Sequence, residues 1–98
     1  MRFKERVNPL GDDDGLRKVM ALRPVSFFYK DRKFIPDRQV GLIAEDVVKV
    51  DKRLVAFDND KKTPRGVRYQ NLTALLIKAI QEQQAQIDEL KRQLARRS

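Results

Sequence analysis

The chain has 98 residues, with 22 lysines and arginines against 14 aspartates and glutamates and a net charge of +8, which bounds it to one small domain. It has no cysteine and no histidine, which excludes disulfides, thiolate metal sites, the commonest general base, the Ser-His and Cys-His nucleophile pairs and most zinc sites. Its hydrolytic nucleophiles reduce to Ser26, Ser98, Thr63 and Thr73, so an ordinary enzyme, a cofactor and a metal are all disfavoured.

In chain order, residues 1–10 form a short charged segment closed by Pro9 and Gly11. It carries no apolar leader, and no apolar run anywhere reaches the length of a membrane span. Asp12, Asp13 and Asp14 precede Leu16, Val19, Met20 and Leu22, whose spacing predicts a helix of about ten residues with the aspartates capping its free amides. The same run lacks the alternating ligands and closing glutamate of a calcium loop. Pro24 ends the helix by forcing the preceding residue out of helical geometry. Residues 25–29 are β-branched and aromatic and read as a strand, with Ser26 on its polar face. Residues 30–33 read as a turn and 34–36 as a short extended piece. A second helix is expected over 43–50, with Ile43, Val47 and Val50 on one face. Residues 54–57 and 67–69 read as an antiparallel pair joined by the polar loop 58–62.

From Gln70 onward there is no proline or glycine, and strong helix formers dominate. A long helix is expected there, with Asn71 as its N-cap. Leu72, Leu75, Leu76, Ala79 and Ile80, with Ile77 beside them, make a broad apolar face that predicts docking on the body. Beyond Ile80 the set narrows. With Thr73, Ile80, Ile87 and Leu94 at heptad position a, the residues Leu76, Gln83 and Leu90 fall at d, a narrow coiled-coil seam. Gln83 is a polar member of that seam, of the kind that fixes register at a cost in stability. Asp88 and Arg92 are placed to pair along the helix. Isoleucine at a with leucine at d leans towards two strands, and the seam alone leaves dimer and trimer open. The expected organisation is an α+β body of short helices and short antiparallel strands over 1–70, followed by a coiled-coil helix over 71–98.

Four runs stand in order along the chain: Arg2-Phe3-Lys4; L-x-P-V-x-F-x-Y over 22–29; V-G-x-I-A-E-x-V over 40–47; and G-V-x-Y-x-x-L-x-A-L-L-I-x-A-I over 66–80. Together they resemble the endosialidase-type intramolecular chaperone domain at the C-terminus of bacteriophage tailspikes and tail fibres, which is shared by the auto-cleavage domain of myelin regulatory factor-like proteins. The resemblance implies a homotrimer with a parallel trimeric coiled coil that nucleates folding of the fibre segment ahead of it in the same polypeptide. It also implies release by a Ser-Lys dyad in a motif S-D-x-x-x-K. Lys4 falls at the dyad lysine, and a Ser-Asp pair directly before Met1 would complete the motif. The chain itself holds no such serine, so it is expected to be inactive in self-cleavage as written. Glu45 matches an acidic or amide position, which implies a supporting role near the dyad or at an interface. The expected trimer interface is Leu76, Ile80, Gln83, Ile87, Leu90 and Leu94. The setting implied is the host cytoplasm during virion assembly, with release from the mature virion afterwards.

A rival reading is a basic coiled-coil adaptor for nucleic acid, built on Lys30, Arg32, Lys33, Arg38, Lys61, Lys62, Arg65 and Arg68. These residues are spread over loops without an interleaved aromatic platform or a recognised reader motif, so nucleic-acid binding is disfavoured.

Overall fold

The structure, a computed structural model, describes residues 3–11 and 14–97. The chain runs through helix α1 (Leu16–Ala21), strands β1 (Val25–Phe27) and β2 (Gln39–Gly41), and helix α2 (Ala44–Val50). A 3-10 turn (Lys52–Leu54), strands β3 (Val55–Phe57) and β4 (Pro64–Val67), and helix α3 (Tyr69–Arg97) complete it. The α+β class expected from the sequence is the one observed.

The strands form two separate antiparallel pairs, β1 with β2 and β3 with β4. Val25 pairs with Gly41 and Ser26 with Val40 in the first; Val55 pairs with Val67 in the second, which carries an irregularity after Ala56. Proline at the start of β4 is tolerated because an edge strand need not donate at every residue. The loop 58–62 turns as expected: Asp60 accepts from the amides of Lys62 and Thr63 at 2.8 and 2.9 Å, and Lys61 takes the left-handed conformation at φ 62°.

Several boundaries differ from those the sequence suggests. The first helix has one and a half turns, because Leu22 is already extended two residues ahead of Pro24. Gly15 takes its N-cap position, without a side-chain cap. Asp14 instead accepts from Lys18 and from the Gly11 amide, a salt bridge and a loop closure that outcompete capping. Asp12 and Asp13 lie outside the described residues. The strand after Pro24 ends at Phe27, and residues 34–36 form no strand; the partner of β1 is residues 39–41. Asn71 does not cap the terminal helix. It sits inside α3 and donates to the Arg53 carbonyl at 3.1 Å, while the first α3 bond runs from the Leu72 amide to the Arg68 carbonyl.

The core is small: Ala44 and Val47 of α2, Leu54 and Val55, and Leu72 and Leu75 of α3. Leu10, Val19, Leu22, Leu42, Phe57 and Val67 pack around it partly buried. Gly15 allows α1 to lie close on α3, for a Cβ there would meet Lys78 Cγ at 2.7 Å and the Ala79 amide nitrogen at 2.8 Å. α3 then continues past Glu82 without cover from the body, and residues 83–97 extend it by roughly 22 Å at 1.5 Å per residue.

Candidate functional site

The terminal helix divides its apolar residues between two faces. Leu72, Leu75 and Ala79 are buried against α1 and the 3-10 turn. Leu76, Ile80, Ile87, Leu90 and Leu94 are each between 40 and 66 % exposed and, with Gln83, form one stripe from the body to the end of the helix. The broad upper face expected to dock on the body is therefore narrower than its composition suggests. Leu76, Ile77 and Ile80 belong to the exposed set, because α1 is short and covers only one side of α3. Along the projecting part, Arg92 pairs with Glu89 at 2.7 Å and not with Asp88, which accepts from Gln84.

Lys4 lies in the N-terminal segment and is exposed, as are residues 3–9 throughout. That segment is tied to the body by Leu10, which packs at the edge of the core and lines the clefts along Ala74. Glu45 is exposed on the first turn of α2, where it borders a cleft of about 320 Å³ with Tyr29, Arg65 and Tyr69. The single chain thus sets Lys4 on one exposed segment and Glu45 on the rim of a cleft. The neighbouring Asp46 is engaged within the chain, with Arg23 at 2.9 Å.

The chain matches the family model described as chaperone of endosialidase over residues 1–56. It belongs to that family. Comparison with curated proteins and with solved structures gave no match. The family match spans the body from the lysine-bearing segment into β3 and stops short of the run 66–80 and the terminal helix. In this chaperone-of-endosialidase domain, the apolar stripe of α3 thus stands on its own residues and not on the matched segment.

One cluster escaped sequence reading. Asp51, at the end of α2, is buried, and its carboxylate accepts from the Arg53 Nε at 3.0 Å, the Arg53 amide at 2.9 Å and Lys18 Nζ at 2.9 Å. Lys18 also reaches Asp14 at 2.8 Å, which joins α1, the 3-10 turn and the end of the N-terminal segment. Hydrogen bonds from Arg53 hold Asp51 well below the ordinary carboxylate range, against the opposing effect of burial, with Lys18 adding to the lowering. Lys18 is raised by its bonds to Asp14 and Asp51. The local D-x-R spacing of Asp51 and Arg53 is visible in the sequence, but Lys18 is brought in only by the packing of α1.

Among the basic groups, Arg32 and Arg38 lie over the ring of Phe28, at 4.3 and 5.2 Å from its centroid. An aromatic residue therefore does sit among the loop cations, with its ring facing the chain's own guanidinium groups. The connection 28–38 is exposed throughout and carries Phe34 at 91 % exposure. Among the described residues no acidic cluster is placed to hold a metal ion, and no helix is long and apolar enough to cross a membrane.

Proposed function

We propose that this domain is a C-terminal intramolecular chaperone that assembles as a homotrimer and promotes folding of a tail-fibre or tailspike segment preceding it in the same polypeptide. The observation that carries this reading is the exposed stripe Leu76, Ile80, Gln83, Ile87, Leu90 and Leu94 on a helix that outruns its own body. A free helix of about 15 residues is only marginally stable in water, so the projecting part needs a second surface. Burying each partly exposed leucine or isoleucine contributes roughly 1–2 kcal/mol, somewhat less than full burial of such side chains. Parallel copies place their bodies at one end. Chains that enter those bodies are then held at high effective concentration, which removes much of the entropy opposing their association. Family membership supplies the chaperone role, and the resemblance to phage-tail domains supplies the count of three.

Release follows from the same arrangement. The serine of a Ser-Asp pair directly before Met1 would add through Oγ to the carbonyl of the peptide bond that follows it while Lys4 Nζ takes its proton. That C–N bond then breaks, the aspartate amine leaves with the proton returned by Lys4, and water hydrolyses the resulting ester. Lys4 is exposed in the single chain. Packing of neighbouring copies supplies the water-poor setting such a base requires, which orders assembly before cleavage. Glu45 then supports the dyad or the interface, and the freed trimer leaves the finished fibre, within the host cytoplasm during virion assembly.

The test fuses a fibrous tail segment ending in Ser-Asp ahead of Met1. The expected outcome is a soluble, protease-resistant fibre separated from the domain, with Lys4→Ala giving an uncut but assembled product. Equal yield of folded fibre without the domain would overturn the chaperone reading. Cleavage in the Lys4→Ala variant would remove Lys4 from the dyad.

A further inference from the structure

Beside the stripe of α3 lies an apolar groove of about 350 Å³. Its inner edge is Tyr69, Leu72 and Leu76 of α3; its outer wall is Val19 and Leu22, from and just after α1, and Val40 of β2. In the heptad frame set by Ile80 and Ile87 at a, Tyr69 and Leu76 occupy d and Leu72 occupies g. The groove therefore runs along one flank of the seam and opens into it at Leu76. Val40 is 85 % exposed despite lying on a strand, on the same face as Ser26.

In a parallel coiled coil the g flank of one helix faces the e flank of the next, and each a residue enters a hole edged by d and g residues of its neighbour. The e residue that comes opposite Leu72 is Ile77, with Thr73 as the a residue entering between Tyr69, Leu72 and Leu76. Charged residues commonly occupy e positions, so an isoleucine there calls for an apolar partner. Ile77 borders the cleft where Pro9 and Leu10 meet its own helix, yet it stays 53 % exposed.

We propose that the groove receives Ile77 of a neighbouring copy, so that each body clasps the helix of the next chain as well as its own. The occupant is a second copy because the groove is continuous with the exposed stripe and its floor is part of the same helix. This rests on the assembly proposed above and deepens it. The interface is then not confined to the terminal coil but extends to the body, and locks the rotational order of the copies around the axis. Such a clasp couples the positions of the three bodies, and with them the entering chains, to the register of the helices.

The absence of cysteine makes the contact directly testable. Val40→Cys and Ile77→Cys are prepared as separate chains, mixed after unfolding, refolded together and oxidised. Both positions are surface-exposed, and Leu22→Cys with Ile77→Cys serves as a second pair. The expected result is a covalent product joining one chain of each kind, reversed by reductant, while each variant oxidised alone stays uncrosslinked. Trimers by sedimentation with no cross-link in either pair would overturn the clasp and leave the assembly standing. Monomers by sedimentation would overturn the assembly itself.

Discussion

Replacing Asp51 with asparagine removes the negative charge that Lys18 and Arg53 share inside the body. Breaking a fully buried ion pair costs about 3–5 kcal/mol; with Arg53 about half exposed and Lys18 retaining Asp14, a loss of about 2 kcal/mol is expected in urea unfolding. The pH dependence has a definite sign. Asp51 is lowered from an ordinary value of 3.8, so the native state favours its ionised form. Its contribution is present above about pH 4 and is lost as pH falls below that, through the lowered native value. Asp14, also lowered, acts in the same direction. Lys18 is raised above 10.5, so its contribution is complete at neutral pH and is lost only in strong alkali. The urea midpoint of the natural chain should therefore drop between pH 5 and pH 2, and Asp51→Asn should drop less over that span. Gly15 makes a second residue-scale test. A methyl group there meets the α3 backbone, so Gly15→Ala should destabilise by roughly 1–3 kcal/mol through a displaced α1, measured by chemical unfolding.

At the scale of elements, the long helix was the most legible part of the chain. Its composition and apolar spacing extend over many turns, and its observed start at Tyr69 lies within two residues of the expected one. The second helix was legible from its periodicity and the antiparallel pair from its polar turn, but the partner strand is Pro64–Val67 and not 67–69, since Tyr69 already opens α3. The first helix was not: three aspartates signal a cap, and only the folded body reveals that Asp14 serves Lys18 instead. The division of α3 between a buried and an exposed face was also hidden, since Leu75 and Leu76 are chemically alike and only the short reach of α1 separates them. Ile87, Leu90 and Leu94 are exposed on the part of α3 beyond the body. The exposed part of α3 yields its own prediction. Ile87→Asp places a charge in the seam and touches nothing in the body, so it should abolish association. The helical signal of residues 83–97 should fall in circular dichroism, and the body, without the contacts it gains in the assembly, should unfold at lower denaturant and with no dependence on protein concentration. Retention of the assembly in this variant would remove the stripe as its basis.

The whole molecule is elongated, measuring 60 × 37 × 24 Å with a radius of gyration of 18.0 Å. A compact domain of about 100 residues has a radius near 13 Å, so the excess belongs to the projecting helix. A body with so few fully buried side chains and a helix of this reach gains most from a shared interface. Lys4 and Glu45 are both exposed in the single chain. The most direct test is sedimentation equilibrium of the chain, of 11.5 kDa, at micromolar concentration and moderate salt. A species of three times that mass which dissociates on Ile87→Asp is expected; a monomer, or a dimer that no rise in concentration converts, would contradict the trimer.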